Sequence, residues 1–336
     1  MQVLYAFGLV FLLSIALIDI VRFNARKWKL VDMPNGRSQH KTPTPRAGGI
    51  GFFLAPAIVT PFFFSDLVVA HWLSFFALFL VFLVGVLDDH RDIAPRTKFI
   101  GIISASVLLC LEGICIDSIG VFFSFPVVLG WFAVPFTVFA VVGLTNAVNL
   151  IDGLDGLAAS VSLVILIAFL LIGYTHSDML MIVLSAVFIA GLSAFLIFNW
   201  YPAAIFMGDS GSLTLGFVIS LLAIRSLEYY NAVSVLFITA LPIVDTFSVM
   251  IRRKMNKKSM LSADKCHCHH VLATFFDHRV QTTVLFLTTV QIMYILIGFQ
   301  LDQEKDQSLP LILFLTMIMM IYLLLRRMIE RQGKEC

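Results

Sequence analysis

Apolar segments alternate with short polar loops along almost the whole chain. An apolar helix needs about 20 residues to cross the hydrocarbon core of a bilayer, and eleven apolar segments of 12 to 21 residues, with approximate boundaries, are candidates. They lie near residues 1–21, 48–64, 72–87, 99–115, 131–148, 158–173, 179–198, 213–224, 232–250, 281–300 and 309–325. The pattern therefore predicts an all-α, polytopic membrane protein with about eleven transmembrane helices.

Composition indicates the same class of protein. The 336 residues are 60% hydrophobic and only 13% charged, whereas a soluble domain is about 45–50% apolar and about 25% charged. We expect one integral-membrane domain, residues 1–336, with no separate soluble domain. Membrane lipid is the expected surrounding, and no nucleic-acid partner is expected.

The distribution of lysine and arginine predicts the orientation. Of these residues, 21 of 23 fall in the alternate loops 22–47, 88–98 and 251–280 and in the tail after 325. Positively charged loops remain on the cytoplasmic side. The N-terminus is therefore expected outside and the C-terminus in the cytoplasm, with the first span as an anchor and not a cleaved signal peptide. Cys110 and Cys115 fall inside a predicted span, and no disulfide is expected.

Five polar stretches map to the cytoplasmic ends of the predicted spans. A charged residue at the centre of a spanning helix costs roughly 2.5–3.5 kcal/mol, so polar residues concentrated at one face indicate a functional site. The stretches are "RSQHKTPTPRAGGIGF" (37–52), "GVLDDHRD" (85–92), "NAVNLIDGLDGLAAS" (146–160), "FNWYPAAIFMGDSGS" (198–212) and "DKCHCHHVL" (264–272).

Aspartate and histidine dominate these stretches. Carboxylates bind hard cations, and Mg²⁺ commonly takes one or two of them together with substrate phosphates. Asp152 and Asp155 would share one face if they were helical, and Gly208 and Gly211 suggest a tight turn that presents Asp209. We interpret the set as a metal-dependent phosphoryl-transfer site with a water-soluble donor and a membrane-resident acceptor.

Other interpretations are weaker. The adjacent acids of "GVLDDHRD" could simply be a solvated helix end. The ligand-rich "CHCHH" suits zinc by residue type, but five ligands in five residues cannot all reach one tetrahedral ion. An ion-coupled transporter should carry ionisable groups near the membrane midplane, and here the polar residues collect at one face.

The ordered motifs resemble those of a known enzyme family. They are "DMPNGRSQHKTPTPRAGGI", "LDDH", "NAVNLIDGLDGLAA", "FNWYPAAIFMGDSGSLTLGF" and "HCHH", within residues 32–272. The set resembles the polyprenyl-phosphate N-acetylhexosamine-1-phosphate transferases. The resemblance implies transfer of a sugar-1-phosphate from a UDP-N-acetylhexosamine to undecaprenyl phosphate, with release of UMP. It also implies Mg²⁺ as cofactor, with Mn²⁺ as a possible substitute, and the bacterial inner membrane as location.

Carried onto this chain, the resemblance implies roles for the acidic residues. Asp209 would be the principal metal ligand, with Asn149 close to the metal. Asp88 and Asp89 would lie beside the phosphates, and one of them, Asp88 in preference, would deprotonate the lipid phosphate. Adjacent helical residues point about 100° apart, so the two should not share one role.

The resemblance also implies roles in substrate binding. Asp152 and Asp155 would hold the nucleotide and metal together, while Asn146 and Asn199 would supply hydrogen bonds. Lys41 would face phosphate. The histidines of the cytoplasmic loop 251–280 that would contact the diphosphate or the sugar are His267, His269 and His270.

The motifs identify the family more clearly than they identify its branch. The translocase that uses UDP-MurNAc-pentapeptide in peptidoglycan synthesis typically carries "HHH", "GTPTMGG" and ten spans. The present "HCHH", "PTPRAGG" and "LPIVDTFSVMIRR" resemble the branch that initiates O-antigen or other surface polysaccharides. Asp245 fits that branch but equally fits a structural polar contact. The donor sugar, the surface polymer, the number of chemical steps and a possible homodimer stay open.

Overall fold

A computed structural model describes residues 1–33, 43–257 and 267–332. Within these ranges the chain forms fourteen α-helices, one 3₁₀ turn and two short antiparallel sheets of two strands each. The helices are α1 (Gln2–Asn24), α2 (Gly48–Phe63), α3 (Ser65–Ala70), α4 (Trp72–Arg91), α5 (Pro95–Leu111), α6 (Ala133–Ile151), α7 (Leu157–His176), α8 (Met179–Asn199), α9 (Gly208–Ser226), α10 (Ala232–Ile238), α11 (Ala240–Met255), α12 (Cys268–Phe275), α13 (Val280–Leu301) and α14 (Ser308–Arg331). The strands are β1 (Val31–Asp32), β2 (Thr44–Pro45), β3 (Ser118–Phe122) and β4 (Phe125–Val128). Lys41 lies outside the described residues, as does part of the loop 251–280.

The predicted all-α membrane architecture is confirmed. Each of the eleven predicted segments is occupied by a helix or by the pair α10–α11. Seven helices are long and apolar enough to cross a membrane, and the pair would make an eighth. Helices α2 and α5 have only 16 and 17 residues. The exact number of spans and their orientation therefore stay predictions.

Helix α9 forms the centre of the bundle. Almost every residue after its first turn is buried, and it packs against α4, α6, α2 and α7. Glycines allow this close packing. A Cβ on Gly216 would lie 2.7 Å from the Cα of Thr145 in α6, and one on Gly85 in α4 would lie 2.5 Å from the Asp209 carbonyl oxygen. The first turn of α9 is thereby placed beside the last turns of α4 and α6.

The predicted span 232–250 is wrong as one continuous helix. It is broken at Thr239 into α10 and α11, which meet at 87°. Gln291 of α13 compensates for the break, since its Oε1 accepts from the Leu241 N–H at 2.9 Å and its Nε2 donates to the Ile238 carbonyl at 2.8 Å. In an apolar surrounding, each unpaired backbone group costs several kcal/mol. Gln291, which is fully buried, therefore stabilises the bend.

Replacing Gln291 by leucine should lower the thermal stability of the detergent-solubilised protein. The variant leaves two buried backbone groups without their partner, at a cost of roughly 1–3 kcal/mol for each group. The matched control is Gln303→Leu, since Gln303 is exposed. Equal melting temperatures for the two variants would contradict the role given to Gln291.

Candidate active site

The cluster begins where the end of α4 meets the start of α9. The carboxylate of Asp89 accepts from the backbone N–H of Asp209 at 2.8 Å and from that of Ser210 at 3.0 Å. The first N–H groups of a helix have no partner within the helix, and the positive end of the helix dipole attracts a carboxylate. Asp89, which is 2% exposed, therefore caps α9 and fixes the position of Asp209.

A glycine is required where the chain enters α9. Gly208 has a φ of 72°, a conformation that side chains rarely adopt. A Cβ there would lie 2.7 Å from both Asp89 carboxylate oxygens. The expected tight turn around Asp209 is only partly correct, because Gly211 lies inside α9 and packs against Gly49 of α2.

Three charged side chains meet beside this cap. The ammonium of Lys98 lies 2.6 Å from Asp88 Oδ2 and 2.5 Å from Asp209 Oδ2. Asp88 and Asp209, far apart in sequence, thus face one positive charge. Among the described residues, the other Asp88 oxygen, Oδ1, is buried and has no hydrogen-bond partner. That oxygen can accept a further ligand.

Sequence reasoning missed Lys98. The residue was counted only as one of the basic residues of the loop 88–98, yet it lies in the first turn of α5, three residues after Pro95. Its place at the mouth of an apolar segment, ten residues after an acidic pair, was the available signal. Only the packing of α5 on α4 turns Lys98 toward the carboxylates.

Helix α6 contributes an amide to the same cluster. Asn149 Nδ2 donates to Asp209 Oδ1 at 3.2 Å and to Ser212 Oγ at 2.7 Å. The predicted proximity of Asn149 and Asp209 is therefore present. Asn146 lies one turn earlier on α6 and is half-buried, and it makes no hydrogen bond to the cluster within the described part of the chain.

Asp152 and Asp155 lie in the turn between α6 and α7, and the expectation of a shared helical face is wrong. Asp155 Oδ2 accepts from the Ala203 N–H at 2.9 Å. Asn199 Oδ1 accepts from the Gly156 N–H at 2.9 Å, and Asn199 Nδ2 donates to the Ile205 carbonyl at 2.9 Å. The amide of Asn199 thus connects the turn to the segment before α9, and its predicted contact with substrate stays a prediction.

Burial raises the pKa of Asp152 from 3.8 to about 7, and the negative charges of Asp209, Asp89 and Asp155 add to the effect. The charged form of Asp152 is therefore disfavoured by its acidic neighbours. A ligand that carries positive charge would relieve the repulsion.

Replacing Asp152 by asparagine should raise the melting temperature of the cation-free protein at pH 8. The pKa of the carboxyl is higher in the folded state than in the unfolded state, so its ionisation costs stability as pH rises from about 4 to about 7. The gain should shrink as pH falls from about 7 toward 4 and should vanish below that, where both states are protonated. Thermal unfolding in a chelator, with exposed Asp66→Asn as control, tests this. A gain that is independent of pH would contradict the charge argument.

The N-terminal end of α12 lies against the same turn through His269, and His267 immediately precedes this helix. His267 Nδ1 lies 2.7 Å from Asp245 Oδ2, and Asp245 Oδ1 accepts from the Cys268 N–H at 2.6 Å. Asp245 thus joins α11 to α12 as a structural contact. Ligand atoms of Asp245, Cys268 and His269 lie within 4.8 Å of one another, but both Asp245 oxygens already accept hydrogen bonds.

His269 lies directly against the acidic turn. A Cβ on Gly153 would lie 2.1 Å from its Nε2, and the ring of His270 lies 4.2 Å away, centroid to centroid. His269 is 1% exposed, and within the described residues neither ring nitrogen has a hydrogen-bond partner. Burial lowers its pKa to about 3, so the ring is neutral and one nitrogen can accept a hydrogen bond.

The segment before α2 closes another side of the cluster. The N–H groups of Gly48 and Gly49 donate to the carbonyls of Phe206 and Met207 at 2.9 and 3.0 Å. Arg46, which sequence reasoning also missed, donates to the Asp89 carbonyl at 2.7 Å and to Asp92 Oδ1 at 3.2 Å. Four of the five predicted polar stretches therefore contribute described residues to one site near the first turn of α9, and the fifth supplies the histidines.

Comparison with known proteins identifies the family. Glycosyl transferase family 4 matches residues 71–227. A probable undecaprenyl-phosphate N-acetylglucosaminyl 1-phosphate transferase of Bacillus subtilis is 33% identical over 303 residues, which cover 85% of this chain and 82% of that protein. An undecaprenyl-phosphate alpha-N-acetylglucosaminyl 1-phosphate transferase of Yersinia pestis is 29% identical over 275 residues, 78% of this chain and 74% of the relative. A phospho-N-acetylmuramoyl-pentapeptide-transferase of Listeria monocytogenes is 32% identical over 265 residues, 73% of this chain and 81% of the relative. The family that the motifs resembled is thereby confirmed, and this multi-pass membrane protein is an enzyme that belongs to glycosyl transferase family 4, the polyprenyl-phosphate sugar-1-phosphate transferases.

Proposed function

We propose that this enzyme transfers N-acetylhexosamine-1-phosphate from a UDP-sugar to undecaprenyl phosphate at the cytoplasmic face of the bacterial inner membrane, releasing UMP. The observation that carries the proposal is the meeting of Asp88, Lys98 and Asp209 at the first turn of α9. Phosphoryl transfer depends on positioning and on neutralising charge. A site with paired carboxylates and a lysine, at the ends of apolar helices, suits a soluble diphosphate donor and a lipid acceptor.

The donor set fits a divalent cation. One oxygen of Asp209 already faces a positive charge, the ammonium of Lys98, and the other accepts from the Asn149 amide. Carboxylate and amide oxygens are hard ligands of the kind that Mg²⁺ prefers. We therefore assign Asp209, with Asn149 nearby, to holding Mg²⁺, with Mn²⁺ as a possible substitute. A bound Mg²⁺ would neutralise charge on the diphosphate and orient it.

The two adjacent acids have different proposed roles. Asp89 uses both carboxylate oxygens on the backbone of α9, so it positions Asp209 and does not exchange protons with substrate. Asp88 retains an unpartnered oxygen and accepts the proton of the lipid phosphate as that phosphate attacks. Lys98 lies between the carboxylates and stabilises negative charge on the phosphates.

The remaining predicted residues surround the donor. Asp152 and Asp155 hold the nucleotide end, and Asn146 lies within reach of the same region on α6. His269 offers a neutral ring nitrogen to a hydroxyl or an amide of the sugar, and His270 and His267 flank it. Lys41 completes the phosphate contacts in the proposal.

The relatives support N-acetylglucosamine as the first donor to test. Those of Bacillus subtilis and Yersinia pestis are named as N-acetylglucosaminyl 1-phosphate transferases, and the former overlaps this chain over 303 residues against 265 for the pentapeptide transferase. Initiation of O-antigen or another surface polysaccharide is the corresponding process. UDP-MurNAc-pentapeptide remains the alternative donor. A homodimer stays a prediction.

Release of UMP by the purified protein tests the proposal. We expect release from UDP-GlcNAc that requires both undecaprenyl phosphate and Mg²⁺, that stops in a chelator and that is restored in part by Mn²⁺. UDP-GalNAc and UDP-MurNAc-pentapeptide serve as the comparison donors. UMP release that is independent of lipid would contradict the acceptor, and turnover of the pentapeptide donor alone would overturn the donor branch.

A further inference from the structure

Two thiols touch at the end of the bundle opposite the active site. Cys110 lies in the last turn of α5 and Cys115 lies in the extended segment that leads to β3. Their sulfur atoms are 2.8 Å apart, which is well inside ordinary van der Waals contact and less than 1 Å longer than the roughly 2.05 Å of a disulfide bond. Both cysteines are free and partly exposed.

The backbone between the thiols is a fixed turn. Predicted span 99–115 placed both cysteines inside one helix, but α5 ends at Leu111. The Gly113 N–H donates to the Cys110 carbonyl and the Ile114 N–H donates to the Leu109 carbonyl, at 3.0 and 2.9 Å. This is a Schellman motif, in which a left-handed glycine ends the helix, and Gly113 has a φ of 91°.

Helix α6 holds the second thiol from the other side. The Thr137 hydroxyl lies 3.3 Å from Cys115 Sγ and accepts from the Ile116 N–H at 2.9 Å. The two sulfurs are therefore held in contact by α5 on one side and α6 on the other. Formation of a bond requires a small movement of side chains within a backbone that is already in place.

We propose that Cys110 and Cys115 form a reversible disulfide within one chain. The distribution of lysine and arginine predicts this end of α5 outside the cytoplasm, where disulfides form and persist. A cavity of about 210 Å³ adjoins Cys115, and the charged residues Asp117, Arg225 and Glu228 are part of its lining. The cavity gives an oxidant a path to the Cys115 sulfur.

The chemistry is thiol–disulfide exchange with an external disulfide, either a small molecule such as oxidised glutathione or the disulfide of an oxidoreductase. Cys115 as thiolate attacks one sulfur of that disulfide, forms a mixed disulfide and releases one thiol. Cys110 as thiolate then attacks the Cys115 sulfur, and the second thiol leaves. The two protein thiols lose two protons and two electrons, and the external disulfide becomes two thiols.

The chain contains a convenient cleavage point for the test, since Glu112 lies between the two cysteines. Membranes are treated with N-ethylmaleimide to block free thiols, and the full-length protein is purified and cut after glutamate by a Glu-specific protease. We expect the peptides that carry Cys110 and Cys115 to stay joined until a reductant is added. Buried Cys268 should be recovered as a separate thiol and serves as the internal control.

Exposure to oxidised or reduced glutathione before the block gives the second measurement. Oxidised glutathione should bring the linked fraction close to complete, and reduced glutathione should remove it. In Cys110→Ser and Cys115→Ser variants the linked peptide should be absent, with UMP release unchanged because the pair lies at the end of α5 opposite Lys98. Recovery of both cysteines as free thiols after oxidised glutathione, or their linkage to another cysteine or another chain, would overturn the proposal.

Discussion

Replacing Asp209 by asparagine should reduce UMP release by about a thousandfold, the upper end of the scale on which loss of a preorganised electrostatic contact acts on catalysis. The amide would keep the shape of the side chain but remove the negative charge that faces Lys98. It would also remove the proposed cation ligand. The backbone N–H of the residue would still donate to Asp89, so the helix cap and the fold should persist.

The measurement is lipid-dependent UMP release at saturating UDP-GlcNAc, together with the amount of protein in the membrane. Asp66→Asn is the matched control, because Asp66 is exposed and lies at the opposite end of the α3–α4 segment. Its rate should equal that of the unaltered enzyme. An Asp209→Asn enzyme with near-normal turnover would show that the cation is held elsewhere.

The substitutions Asp88→Asn and Asp89→Asn should affect turnover and melting temperature differently. Asp88→Asn should slow turnover by roughly 10²–10⁴-fold, the usual contribution of a general base, with an unchanged melting temperature. Asp89→Asn should lower the melting temperature, because an amide oxygen accepts from one of the two N–H groups of α9 and leaves the other unpaired. That loss costs roughly 1–3 kcal/mol, and turnover should fall with it as Asp209 moves.

The two variants are compared by thermal unfolding and by UMP release on the same preparations. The ratio of the two effects is the informative quantity, because a base affects rate alone and a positioning residue affects both. Lipid phosphate supplied at higher pH should partly restore Asp88→Asn, since the acceptor then arrives already deprotonated. A destabilised Asp88→Asn beside a normally stable Asp89→Asn would reverse the assignment.

Much of the architecture could be predicted from the sequence because membrane insertion imposes a strong local constraint. Backbone groups in lipid must pair within their own segment, so a long apolar run becomes a helix wherever it occurs. Every predicted span is occupied by helical residues. The prediction failed where a side chain of another helix supplies the hydrogen bonds that the helix itself lacks. At Thr239 the helix is broken, and Gln291 pairs with the backbone groups that the bend leaves free.

The site was predicted as a set of residues but not as an arrangement. The acids, Asn149 and the histidines were found because polar residues are conspicuous among apolar ones. Lys98 and Arg46 were missed because basic residues are ordinary in cytoplasmic loops. The different roles proposed for Asp88 and Asp89 could not be predicted, since they depend on which carboxylate accepts from the N–H groups of α9.

The sequence by itself determined that this chain is a helical membrane protein, that its acidic motifs gather at one side and that it belongs to one enzyme family. Hydropathy and motif order are local properties, and they can be recognised residue by residue. The tertiary structure decided which groups touch: the cap of α9 by Asp89, the bridge of Lys98 between two carboxylates and the contact of two thiols at the far end of α5. Such contacts depend on how helices pack, because a small shift of one helix along another, or its rotation by one residue, would pair different side chains.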